Sequence, residues 1–156
     1  MPSAAAAPAA PTNPTLMLAR ALYKYWAAIV FLAVVLQIGL AGYGAFFTAS
    51  KVENEGDVLT HTQFDDGWRY HDAIGWAVLL AALILVVLAL FVRSRRSWTM
   101  LTAGLAGLVI VQALLAGIGL DTAAAGALHA LNAVAILGVS GWLAHAAWRK
   151  STAQGA

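Results

Sequence analysis

The chain has 156 residues, 62% of them hydrophobic and 10% charged, with a formal net charge of +2 and no cysteine. That balance is the signature of a membrane protein, and the small positive charge calls for no nucleic-acid partner. Without cysteine, disulfides, thiolate zinc sites, iron–sulfur clusters and covalent haem attachment are all excluded.

Residues 1–20 read as a disordered cytoplasmic tail, because residues 2–14 are almost entirely Ala and Pro. A bundle over 21–150 follows, and 151–156 form a short closing tail. Within the bundle lie four apolar runs, at about 25–47, 73–92, 98–120 and 123–148, none with an acidic or Lys/Arg residue inside it. Each supplies the ~20 residues that a helix needs to cross a ~30 Å hydrocarbon core. Arg20 and Lys24 before the first run and Thr48-Ala49-Ser50 after it imitate a signal peptide. The run is longer than a signal core, so a retained helix is expected.

The predicted fold is an all-α, integral membrane, antiparallel four-helix bundle. Its long outer loop, about 48–72, holds Glu53, Glu55, Asp57, Asp65, Asp66 and Asp72, while 93–97 forms a basic turn. Arg20, Lys24, Arg93, Arg95, Arg96, Arg149 and Lys150 fall on one side of the membrane, against Lys51 and Arg69 on the other. The positive-inside rule then puts both termini in the cytoplasm. Trp26, Trp98 and Trp148 stand at run ends, where amphipathic rings favour the interface.

A repeat runs through this frame. Residues 37–44 (QIGLAGYG) and 112–119 (QALLAGIG) share Q-x-x-L-A-G-x-G, and each copy is followed by a histidine that opens the next apolar run. His71 begins HDAIGWA and His129 begins HALNAVA, sharing H-x-x-x-[GA]-x-A. Two repeated helical hairpins, each presenting one imidazole near the outer face, are the simplest reading. Their symmetry axis would lie along the membrane normal.

A polar side chain inside a membrane helix is costly and therefore a functional candidate. Two histidines in matching positions suffice to hold a six-coordinate haem iron, making His71 and His129 candidate metal ligands for one non-covalent haem b. Gly44 and Gly119 would give a macrocycle room, or let helices pack closely. Gln37 and Gln112, two turns deeper, would bridge helices or line the cofactor or a quinone site. Asn132, one turn from His129, would tune the haem edge or bond Gln37. Arg69 would pair with a haem propionate or with a loop acid. A zinc or copper site would need His61, Asp65 or Asp66 as further ligands. His145 has no histidine partner at the inner end, which favours one haem over two.

The stretch 108–117 with His129 beyond a short loop resembles the third and fourth helices of one half of the haem A synthase family. Trp68-Arg69-Tyr70-His71 looks like that family's histidine-bearing second helix. The resemblance covers most of residues 25–148, and extends to small four-helix bacterial membrane proteins that share this half-bundle. It implies an antiparallel bundle in the bacterial plasma membrane, with one b-type haem held by His71 and His129. This chain has one bundle where haem A synthases have two, and Trp68 where they carry a glutamate. The expected function is a membrane b-type cytochrome that transfers electrons with a quinone or an outer-surface redox partner. The alternatives are a haem-free assembly subunit of a larger complex, or a haem-modifying half-enzyme acting as a homodimer.

Overall fold

The computed structural model describes residues 13–92 and 96–152, with side chains as far as Arg149. Residues 1–12 of the expected first tail, 93–95 of the basic turn and 153–156 of the closing tail lie outside the described residues. The chain is an all-α antiparallel bundle of α1 (Pro14–Ala49), α2 (His61–Phe91), α3 (Arg96–Gly119) and α4 (Ala123–Thr152). Each helix packs against two neighbours in the ring order α1, α2, α3, α4, so α1 stands diagonally from α3 and α2 from α4.

Two helices start earlier than expected. Residues 14–20, assigned above to the disordered tail, are the first turns of α1. Asn13 caps them, its side chain accepting from Thr15 N–H (3.0 Å) and Leu16 N–H (3.4 Å), with Pro14 in the first turn. Proline there gives up an N–H that has no helical partner anyway, so Asn-Pro is a start signal masked by the Ala/Pro composition before it. The helix reaches 36 residues, about 54 Å.

The start of α2 falls at His61 instead of 73. Thr60 accepts from Gln63 N–H (3.3 Å), and Gln63 Oε1 accepts from Thr60 N–H (3.0 Å), a reciprocal cap that satisfies two helix-end donors. The connection therefore shrinks to residues 50–60. It turns at Asn54–Asp57, where Gly56 takes a φ of 92° that a side chain would disfavour. His71 consequently sits about three turns inside α2, and not at its first residue. Arg96, expected in a turn, already belongs to α3, and residues 151–152 extend α4.

All four helices are long and apolar enough to cross a membrane. Their outward surface carries Leu32, Phe46, Leu80, Leu114 and Leu131, each more than half exposed. So much exposed apolar surface is unfavourable in water, and it is the surface that meets the lipid of a multi-pass protein.

The core fills the half of the bundle nearest the start of α1 and the end of α4. Val30, Leu85, Leu105 and Leu143 meet there with 0–1% exposure. Thr102 donates to the Trp98 carbonyl (2.9 Å), so Tyr23 donates to Thr102 (2.8 Å) and ties α1 to α3 across the diagonal. Trp26 Nε1 donates to the Ala81 carbonyl (2.9 Å). The opposite half, toward the 50–60 and 120–122 connections, encloses a cavity.

Candidate functional site

His71 on α2 and His129 on α4 face each other across the bundle diagonal, ring centroids 6.3 Å apart and planes at 58°. Each imidazole is steered by the preceding helix. His71 Nδ1 lies 3.2 Å from the Gln37 carbonyl, and His129 Nδ1 lies 3.1 Å from the Gln112 carbonyl. A carbonyl oxygen only accepts, so in both rings the proton sits on Nδ1 and Nε2 keeps its lone pair. Histidines that bind metals are held in this way, with the far nitrogen donating to a carbonyl or carboxylate.

The cavity between the rings has a volume of about 370 Å³. Every lining residue except Leu79 has its repeat counterpart on the opposite wall. Val34 stands with Val109, Gln37 with Gln112, Ile38 with Ala113, Ala41 with Ala116 and His71 with His129. Asp72 stands with Ala130, Gly75 with Ala133, Trp76 with Val134 and Val78 with Ile136. The sequence repeat is thus a pseudo-twofold axis through the cavity. Trp76 and Val134 are also more than half exposed, so the cavity reaches the lipid-facing surface between helices.

The glutamines combine two of the roles expected of them. Both line the cavity, and each ties its own hairpin without touching the other. Gln37 Nε2 donates to the His71 carbonyl (2.8 Å), while Gln112 Oε1 accepts from Asn132 Nδ2 (2.7 Å). Asn132 also donates to the Leu108 carbonyl (2.9 Å); it bonds Gln112, not Gln37, and stands behind the wall.

Gly44 and Gly119 do not line the cavity. A Cβ on Gly44 would come within 2.9 Å of the Trp68 ring and 3.1 Å of the Gly67 carbonyl, and one on Gly119 within 3.2 Å of the Gly126 backbone. They are helix-crossing points above the site, and the room comes from Ala41, Gly75, Ala116 and Ala133 instead. Arg69 also stands off the wall, 3.7 Å from Asp66 and hydrogen-bonded to Tyr70 (2.8 Å), which is the ion-pair alternative. His61 pairs with Asp65 (2.8 Å) at the exposed start of α2. Among the described residues no three His, Asp or Glu side chains gather, so the His71–His129 pair acquires no further metal ligand. His145 is exposed at the opposite end of α4.

Sequence reasoning did not place Asp72, Gly75 or Trp76 on the cavity wall. The shared H-x-x-x-[GA]-x-A motif marks Gly75 with Ala133, and nothing in it marks Asp72 or Trp76.

Fold and site together define a multi-pass four-helix membrane protein with a symmetric paired-histidine cavity. A family described only as one of unknown function, DUF6220, matches residues 37–123, and the chain belongs to it. That span opens on Gln37, includes His71 and Gln112, and stops short of His129. No curated protein and no solved structure matches the chain.

Proposed function

We propose that the protein is a membrane b-type cytochrome that binds one haem between His71 and His129 and transfers electrons. The observation that carries this reading is the pair of facing imidazoles, each oriented by a main-chain carbonyl. Metal–imidazole bonds of about 2.0–2.1 Å, with a ring nitrogen about 1.1 Å from its centroid, put two imidazoles across one metal about 6.3 Å apart. The observed centroid spacing is 6.3 Å. The cavity volume of about 370 Å³ lies in the range of ligand sites, about 300–1,000 Å³. Its wall includes Trp76 and Val134, both more than half exposed, so the cavity opens toward the lipid-facing surface.

A haem b held there would supply a one-electron iron couple. The chain's own residues hold the site. His71 and His129 present Nε2, the Gln37 and Gln112 carbonyls fix tautomer and ring direction, and the apolar walls exclude water. With His71 and His129 both engaged in holding the group, electron transfer to a quinone or an outer-surface protein would be the chemistry this site favours. The seven-to-two division of basic residues supports termini on the cytoplasmic side of the plasma membrane.

A reduced-minus-oxidised visible spectrum of the purified protein tests the reading. We expect stoichiometric haem with a six-coordinate low-spin spectrum, and at least ~tenfold less haem in His71→Ala and in His129→Ala. Full haem content in both variants, or none in the wild type, would overturn it. A haem-free protein in tight association with another membrane protein would favour the assembly-subunit role.

A further inference from the structure

Asp72 breaks the twofold symmetry of the site. By sequence it closes the acidic outer loop, yet the early start of α2 carries it about three turns into the helix and onto the cavity wall. It is the only Asp, Glu, Lys or Arg among the residues that line the cavity, and its repeat counterpart there is Ala130. The imidazoles are matched across the axis, and the charge beside them is not.

A carboxylate inside a membrane helix is costly unless something nearby answers its charge. Among the described residues, none donates a hydrogen bond to the Asp72 carboxylate or forms an ion pair with it. The two bases at this end are committed elsewhere. Arg69 lies 3.7 Å from Asp66 and bonds Tyr70 (2.8 Å), and Lys51 stands 4.9 Å from the centre of the Phe47 ring. What the Asp72 carboxylate does meet is its neighbour, for it interacts electrostatically with the His71 ring. Asp72 is exposed on its outer side, but the cavity that it lines is walled chiefly by apolar side chains, where little screens a charge.

Electron transfer at the paired histidines would change the charge that Asp72 faces. One-electron reduction of a haem iron removes one positive charge, so a neighbouring carboxylate favours the oxidised state over the reduced one. Building on the haem reading, we propose that Asp72 holds down the reduction potential of the group bound between His71 and His129. It acts through its field, without ligating the metal. Ala130 supplies no such charge, so the first hairpin alone sets this part of the potential.

The test is a redox titration of the haem-loaded protein in detergent, with dithionite as reductant and visible absorbance as the readout. Asp72→Asn removes the charge and keeps the shape. We expect its midpoint potential to rise by about 59 mV, which is a tenfold change in the ratio of oxidised to reduced protein. Ala130→Asp puts a carboxylate at the counterpart position and should lower the potential by a similar amount. Glu53→Gln removes a carboxylate from the exposed connection, away from the cavity, and should leave the potential where it is. An Asp72→Asn potential equal to wild type, or a Glu53→Gln shift as large as that of Asp72→Asn, overturns the proposal. If Asp72→Asn takes up no haem, Ala130→Asp against Ala130→Asn decides: the aspartate must give the lower potential, and equal values overturn the proposal. A wild type that binds no haem instead refutes the haem reading, and this inference falls with it.

Discussion

His71 and His129 both hydrogen-bond to main chain, so the side chains of Gln37 and Gln112 are separable from the direction of the rings. In haem-loaded protein, Gln37→Ala and Gln112→Ala should each keep the low-spin bis-imidazole spectrum that the histidine variants lose. Asn132→Leu should leave Gln112 Oε1 without its donor and destabilise the second hairpin by about 0.6–1.7 kcal/mol, measured by unfolding in detergent. The histidines, glutamines and Asn132 were legible in the sequence because membrane helices rarely carry such side chains. Their acceptors were not legible, because a backbone carbonyl is the same at every position and only the approach of two helices selects one. That is also why Asn132, expected to tune the haem edge or bond Gln37, is found bonded to Gln112 instead.

Among the elements, glycine was the ambiguous letter. Gly44 and Gly119 recur at the same spacing whether they make room for a ligand or let helices cross, and the structure gives them to crossings. Gly39 and Gly117, in the same repeat, have no atom within 4 Å of where a Cβ would stand. Gly44→Ala and Gly119→Ala should each cost about 1–3 kcal/mol through forced displacement of the facing helix. Gly39→Ala and Gly117→Ala should be neutral or stabilising by up to about 1 kcal/mol, from helix propensity alone. Thermal unfolding of the four variants in one detergent separates the two classes. The helix count and order were readable from hydropathy, whereas the starts of α1 and α2 were not. Their signals, Asn13-Pro14 and Thr60 with Gln63, are capping chemistry outside the apolar runs.

At the scale of the molecule, the buried core lies toward the end where α1 begins and the paired-histidine cavity toward the other. The Tyr23–Thr102 bond spans the core across the diagonal. Tyr23→Phe should lower stability by about 0.6 kcal/mol while leaving haem content unchanged, because the bond is remote from the cavity. Orientation can be read by labelling, since the chain contains no cysteine to remove. Asn54→Cys should react with a membrane-impermeant maleimide on intact cells, and Thr15→Cys only after the membrane is opened. The opposite pattern would invert the topology that the basic residues support.

Each hairpin carries one imidazole and the carbonyl that aims it, yet neither hairpin alone encloses anything. The cavity comes into being only when the halves dock. A ligand that grips both imidazoles is therefore a fastener, and it should help two hairpins made as separate polypeptides to find each other. The two hairpins are not interchangeable in every position, for Trp68 stands where the second has Gly126 and Ile74 where it has Asn132.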